Sequence, residues 1–363
     1  MAKFRVLIAG GGTGGHIIPA LAIARELVAR YGAEILFVGT NRGMESRMVP
    51  VAGFELRLIK VGPLKNVSLL RRVRTMLALP LSLWDCYKII YEFEPNVVFG
   101  VGGYASGPGM AAAFMLRIPT MAFEPNAMPG LANRLVGKRV QAAAVNFPRA
   151  ARWFRNAEVT GIPVRPEFFN IKRPPSRPQL LVFGGSQGAQ IFNRLLPQIA
   201  AALLEAVPGL TITHQCGARH AETTQTAYEA SGASADRWSV LPFLEDMPAR
   251  FAAASLVLAR SGASTVAELA AAGKPSVLVP FAAAADEHQK RNAEEMVKAG
   301  AAVMLSESDV EPPERLLDVL TGLLKTPERL AGMAAAARTQ AHPDAAVRIA
   351  NRLAALSGVS VRK

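Results

Sequence analysis

Glycine is concentrated at three points in this sequence, each after a short apolar run and before residues at helical spacing: Gly10–Gly15, Gly102–Gly109 and Gly184–Gly188. A glycine-rich turn between strand and helix lets backbone amides close on an anion, and the helix N-terminus adds partial positive charge. One such turn is a weak signal, because tight turns at a sheet edge have the same composition. Three together point to phosphate-bearing ligands. Gly10, Gly12 and Gly15 also fit the G-x-G-x-x-G spacing of a dinucleotide site. That site needs an acidic residue where the second strand ends, to hold the ribose. Here the strand ends in Val38, Gly39, Thr40 and Asn41, with Glu34 at its beginning, on the wrong edge of the sheet. The dinucleotide reading fails.

Several side chains near such turns could bind or move protons. Arg260 to Glu268 reads as a strand end, a Ser261-Gly262 turn and an alanine-rich helix whose first amides could receive a diphosphate. Glu268 lies about two turns into that helix, among Ala267, Leu269, Ala270 and Ala271. An unpaired carboxylate in such a setting is costly, which favours a ligand partner over a solvated helix face. Asp286 and Gln289, three apart after an alanine run, offer the acceptors and donors that a sugar's vicinal hydroxyls need. Asp286 could also serve as a helix N-cap, and His288 could line the same pocket. His16 directly follows the first glycine turn, where a helix N-terminus disfavours imidazolium and keeps the ring basic near neutral pH.

The elements that must hold these residues follow from composition and pattern. The chain has 363 residues, half of them apolar and 19% charged, enough for two domains with substantial cores. Short apolar runs (Phe4–Ala9, Ile35–Val38, Val97–Phe99) alternate with helical stretches such as Pro19–Tyr31, which implies parallel sheets with crossover helices. The pattern restarts at Leu180–Phe183, followed by a helix over Ile191–Ala206; a further strand is expected at Val277–Pro280. Gly11 and Gly184 share an offset of 173 with Gly15 and Gly188, a repeat at domain scale. The expected fold class is α/β, with two doubly wound, Rossmann-like domains. Proline-rich Thr160–Pro178 reads as the linker. The expected domains are residues 1–162 and 163–342, with a helical tail (343–363, helix over Pro343–Leu356) packing back on the first.

Cys86 and Cys216 have no neighbours at metal-ligand spacing, and no metal site or cofactor is expected. The opening residues read as a buried first strand, too short in apolar length for a signal peptide. Met76–Trp84 and similar runs are too short to cross a bilayer. The net charge of +13 fits nucleic acid, an anionic membrane or a polyanionic substrate. Nucleic acid ranks lowest, because the aromatics do not interleave with the basic residues. Lys60–Lys88 combines Leu77, Trp84 and other apolar residues with Lys65, Arg71, Arg72, Arg74 and Lys88, a pattern suited to an anionic leaflet and also to an amphipathic core helix.

Seven stretches together resemble the MurG family of N-acetylglucosaminyltransferases: Gly11–His16, Gly102–Gly109, Glu124–Arg134, Gly161–Arg165, Gly184–Ala189, Arg260–Glu268 and Asp286–Ala293. Pro125 departs from the family, which usually carries glutamine there. The resemblance implies a two-domain GT-B enzyme acting at the cytoplasmic face of the bacterial inner membrane as a peripheral protein. It would move N-acetylglucosamine from UDP, with inversion, to the 4-hydroxyl of undecaprenyl-pyrophosphoryl-muramyl-pentapeptide. By the same resemblance, the donor meets Thr13, Gly14, Gly15, Asn126, Arg165, Ser186, Gln187, Leu244, Ala263, Ser264, Thr265, Val266, Glu268 (ribose) and Gln289 (amino sugar). Arg165 has a linker salt bridge as its structural alternative. The acceptor meets Gly12, Gly102, Gly103, Tyr104 and Ser106. His16 is the expected base, its alternative being only to bind the acceptor's pyrophosphate. Glu124 and Tyr104 are further candidates for proton transfer or acceptor positioning. A UDP-N-acetylglucosamine 2-epimerase and a non-catalytic nucleotide-sugar sensor are the rival readings.

Overall fold

The computed structural model describes residues 3–62, 68–171 and 177–359; the side chains of residues 69–74 and 285 lie outside that description. The chain divides into two compact units, Met1–Pro163 with His342–Lys363, and Val164–Ala341.

The first unit is a seven-stranded parallel sheet: β1 (Arg5–Gly10), β2 (Glu34–Gly39), β3 (Glu55–Leu58), β4 (Val97–Gly102), β5 (Thr120–Glu124), β6 (Ala142–Val145) and β7 (Ala157–Val159). Between them run α1 (Gly14–Tyr31), α2 (Glu45–Val51), α3 (Leu69–Phe93), α4 (Ser106–Met115), α5 (Leu131–Val136) and α6 (Pro148–Ala151). The spatial order is β3-β2-β1-β4-β5-β6-β7, so the winding reverses between β1 and β4. Those two strands and β5 are mainly apolar and almost wholly buried, as a sheet covered on both faces requires.

The second unit repeats the plan with six parallel strands: β8 (Gln179–Phe183), β9 (Thr211–Gln215), β10 (Trp238–Leu241), β11 (Leu256–Ala259), β12 (Ser276–Leu278) and β13 (Ala302–Met304). Its helices are α7 (Pro166–Phe169), α8 (Gln190–Ala206), α9 (Ala221–Glu229), α10 (Met247–Ala253), α11 (Ala263–Ala272), α12 (His288–Lys298), α13 (Glu307–Val310), α14 (Pro313–Leu324) and α15 (Pro327–Arg338). The order β10-β9-β8-β11-β12-β13 reverses between β8 and β11. Both sheets are therefore doubly wound, as the repeat suggests.

A final helix, α16 (Ala345–Leu356), belongs to the first unit and buries Ile349, Ala350 and Leu353. Tyr31 Oη donates to Asn351 Oδ1 at 2.8 Å, and Arg348 pairs with Glu158 at 2.8 Å. Two details differ from the sequence reading. The proline-rich stretch contains a helical turn, α7, with Pro166 at its first position, where a missing N–H costs nothing. Helix α1 begins at Gly14 and takes Pro19 into its interior. Residues 172–176 of the expected linker lie outside the described residues.

Candidate active site

In an open parallel sheet, ligands bind beyond the C-terminal strand ends where the winding reverses. In the first unit that position is flanked by the turns after β1 and β4, which touch. Gly11 N donates to Gly102 O at 3.1 Å. Gly103 has φ +79°, and a β-carbon there would stand 2.2 Å from Gly11 O, so only glycine fits. The imidazole of His16 lies against the second turn, with Cε1 2.8 Å from where a Gly102 β-carbon would be. The structure thus brings together Gly12 to His16 with Gly102 and Gly103.

Helix α1 starts at Gly14, and among the described residues the amides of Thr13, Gly14 and Gly15 donate to no group of the chain. They are available to an anion. Gly12 is not, because its N–H is already bonded to Glu45 Oε2 at 2.6 Å, a partner the sequence reading missed. Tyr104 is half exposed beside this turn; Ser106, at the start of α4, is buried, and its Oγ has no partner among the described residues.

Glu124 ends β5 and is 1% exposed. Its Oε1 accepts from Asn126 N at 2.9 Å and Asn126 Nδ2 at 3.1 Å, its Oε2 from Gly130 N at 3.0 Å and Asn133 Nδ2 at 2.9 Å. Burial raises its pKa, and these donors oppose the rise. Both oxygens are occupied by the loop they organise, which holds Asn126 in place.

In the second unit the reversal is flanked by the turn after β8, where Ser186 and Gln187 are exposed, and by Arg260–Gly262 after β11. Among the described residues, the amides of Ala263, Ser264 and Thr265 at the start of α11 have no partner in the chain, and Ser264 Oγ is buried without one. Val266 N bonds Gly262 O at 3.0 Å and its side chain is buried. Two turns on, Glu268 is partly buried, its pKa raised to about 7 by burial and held from going higher by Arg165. Arg165 stands just before α7, which packs on α11, and its guanidinium lies 5.2 Å from the Phe168 ring centre. Among the described residues no ion pair joins it to Glu268 or to any other carboxylate, so the salt bridge weighed for it is not formed.

Gln289 opens α12, its Oε1 accepting from Phe281 N at 3.0 Å and leaving Nε2 to donate. Ser261 Oγ donates to Gln289 O at 2.9 Å, tying the start of α12 to the start of α11. The N-cap of α12 falls on Glu287 and not on Asp286; both have left-handed φ, 52° and 54°, a strained pair of a kind found beside binding sites. Leu244 is buried in the loop after β10, at the same strand edge. Arg260 is a strut, not a ligand arm. Its guanidinium donates to Val279 O and Pro280 O, each at 3.0 Å, and pairs with Glu307 at 2.5 Å.

On α3, Leu77 (74% exposed), Leu81, Trp84 and Tyr91 form one exposed stripe, since spacings of four, three and seven return to the same helix face. Trp84, with Lys88 Nζ 5.4 Å from its ring centre, joins Pro80, Leu83, Tyr87 and Met115 in lining an apolar groove of about 330 Å³. The opposite face buries Ser82, Cys86 and Ile90. The side chains of Arg71, Arg72 and Arg74 lie outside the described ones, as does Lys65. Among the described residues, no helix is long and apolar enough to cross a membrane.

Comparison with known proteins agrees with this architecture. The N-terminal domain of glycosyltransferase family 28 matches residues 6–145 and its C-terminal domain residues 179–349. The chain is 45% identical over 359 residues to the UDP-N-acetylglucosamine–N-acetylmuramyl-(pentapeptide) pyrophosphoryl-undecaprenol N-acetylglucosamine transferase of Anaeromyxobacter sp. (strain Fw109-5), covering 97% of this chain and 93% of that one. The protein of the same name from Solibacter usitatus (strain Ellin6076) is 45% identical over 352 residues, covering 96% and 94%. The crystal structure of Acinetobacter baumannii MurG superposes with a TM-score of 0.82 at 31% identity, covering 97% of this chain and 99% of that one. A UDP-N-acetylglucosamine 2-epimerase from Listeria monocytogenes (TM-score 0.68, 14% identity, covering 100% and 99%) shares the fold alone. The reversal-point glycine turns, the α11 start with Glu268 and the likeness along nearly the whole length place this chain in glycosyltransferase family 28, among its MurG-type members.

Proposed function

We propose that the chain transfers N-acetylglucosamine from UDP to the 4-hydroxyl of a polyprenyl-pyrophosphoryl muramyl-pentapeptide, with inversion at the anomeric carbon. The likeness to transferases of that name over 97% of the chain carries the reading. The donor diphosphate meets the free amides of Ala263, Ser264 and Thr265 with Ser264 Oγ. The ribose hydroxyls donate to Glu268, and Gln289 Nε2 donates to the amino sugar. Arg165 supplies positive charge as UDP leaves, through the fork that suits phosphate oxygens. Asn126, Ser186, Gln187, Leu244 and Val266 complete the donor surroundings.

The acceptor's diphosphate meets Thr13, Gly14 and Gly15 at the start of α1, beside Gly102, Gly103, Tyr104 and Ser106. The family resemblance gave those three residues to the donor. Assigning them to the acceptor leaves each diphosphate with one helix start. His16 takes the proton of the 4-hydroxyl as the oxygen bonds to the anomeric carbon, and the electrons of the broken C–O bond leave with UDP. Glu124, both oxygens engaged, positions Asn126 and does not carry the proton.

The Leu77–Tyr91 stripe and its groove face an anionic leaflet at the cytoplasmic side of the inner membrane, where the acceptor's prenyl chain resides. The test is UDP release from UDP-N-acetylglucosamine with and without a short-chain lipid acceptor. The expected result is release only with acceptor, slowed about a hundredfold in kcat in His16→Ala with donor affinity kept. Acceptor-independent conversion of the donor to an N-acetylmannosamine product points to the epimerase instead, and donor binding without any turnover to a sensor.

A further inference from the structure

Glu45 has no part in the reaction as described, yet its carboxylate is only 1% exposed at the first unit's reversal point. Its Oε2 accepts from Gly12 N at 2.6 Å, and its Oε1 accepts from Thr40 N and Thr40 Oγ1, each at 2.9 Å. Among the described residues, no cation pairs with it. The group occupies space that three glycines leave open. A β-carbon on Gly11, Gly39 or Gly43 would stand 2.4, 2.5 or 2.0 Å from its side chain. Next to it, Met44 N donates to Gly12 O at 3.2 Å. Consecutive residues therefore hold both polar atoms of Gly12. In a dinucleotide-binding fold, an acidic residue near the end of β2 reaches outward to a ribose. Here the carboxylate that reaches the end of β2 comes from the start of α2 and turns inward onto the glycine turn.

We infer that Glu45 is a positioning residue for acceptor binding. It fixes the turn after β1, so that the amides of Thr13, Gly14 and Gly15 keep their aim. Through Gly11, which donates to Gly102 O, it also fixes the second turn, against which His16 rests. Because the carboxylate already takes Gly12 N–H, an incoming anion is directed past that residue to the helix start. This rests on the reading that the α1 start holds the acceptor's diphosphate.

The experiment compares Glu45→Gln, Glu45→Ala and Gly14→Pro in the full chain, with KM and kcat measured for both substrates alongside thermal melting. Gly14 is the first residue of α1, and Thr13 before it has φ −117° and ψ 161°, the conformation a residue before proline prefers. Proline there deletes one amide donor with the helix intact. Glutamine keeps the size of Glu45 but one acceptor oxygen becomes a donor, facing the N–H of Gly12 or Thr40. The expected result is an acceptor KM raised about tenfold in Gly14→Pro and in both Glu45 variants, a charged hydrogen bond's usual magnitude. KM for UDP-N-acetylglucosamine should stay within about twofold. An acceptor KM raised by Gly14→Pro but unchanged in both Glu45 variants overturns the role of Glu45 and keeps the acceptor reading. An acceptor KM unchanged in Gly14→Pro overturns that reading and the inference with it. Glu45 variants that only melt earlier, or that shift both KM values together, mark a purely structural residue and also overturn it.

Discussion

Glu268 offers the sharpest test of the proposed donor site, because its environment opposes the charge that a ribose contact requires. Burial raises its pKa from the usual 4.5 to about 7. A carboxylate that accepts from two ribose hydroxyls must be ionised, so binding has to drive off the proton that the free protein holds below pH 7. With a pKa of about 7, the penalty is roughly tenfold per pH unit on the acid side and vanishes on the alkaline side. UDP-N-acetylglucosamine should therefore bind about tenfold more weakly at about pH 6 than at about pH 8, with a proton released on binding at the lower pH. The sugar nucleotide is the right probe, since UDP itself carries a terminal phosphate that titrates in the same range. Titration calorimetry in buffers of different ionisation enthalpy reads both quantities.

The same shift has a stability consequence of opposite sign. Between pH 4.5 and about 7 the unfolded chain has lost this proton and the folded one keeps it, so stability falls as pH rises through that window. Glu268→Gln should thus make the ligand-free protein more stable at about pH 8, by at most about 3 kcal/mol, while weakening the donor. Arg165→Ala removes a charge that lowers the pKa and should move the binding inflection to higher pH. Donor affinity that is flat from about pH 6 to 8, or a Glu268→Gln protein with an unchanged slope, would refute the reasoning.

Two other features yield expected outcomes. Replacing Leu77 and Leu81 by glutamate should weaken co-sedimentation with anionic vesicles at least tenfold, since each side chain loses about 2 kcal/mol of apolar burial and gains a repelled charge; equal sedimentation means the stripe faces something else. Lys274 is 4% exposed, donates to Ala254 O at 2.8 Å and Ala252 O at 3.3 Å, and has its pKa lowered by burial, and further by Arg338, from 10.5 to about 8. Across that window the unfolded chain binds the proton and the folded one does not, so the stability of the wild type relative to Lys274→Met should grow as pH rises from about 8 to 10 in thermal melts; a gap that is constant or shrinks contradicts it.

Much of the fold was legible because its determinants are local. An apolar run followed by glycine and then helical spacing, occurring twice at one offset, fixes two doubly wound sheets and the places where their winding reverses. The side-chain chemistry was harder to read where it depends on long-range contacts. Glu45 lies 33 residues from Gly12 and meets it only because β1 and β2 pair in parallel; an acidic residue after Gly43 carries no local mark. Arg260 begins a phosphate-like motif, yet its guanidinium is drawn into the sheet edge by the carbonyls of Val279 and Pro280, invisible until β11 and β12 are neighbours. Glu124 reads as a possible base from its position, but Asn126, Gly130 and Asn133 saturate it once their loop closes. A spacing signal was present there, since the donors follow within nine residues.

The placement of α16 sets an order on biosynthesis. Its buried side chains, including Ile349 and Leu353, belong with α1, yet residues 342 onward leave the ribosome after all of Val164–Ala341. During translation the nascent first sheet therefore waits with an uncovered oily patch while the later domain is synthesised, a window in which holdase chaperones or self-association compete. A stop codon just before this helix should consequently yield insoluble product even though every residue proposed to meet the two substrates has been made.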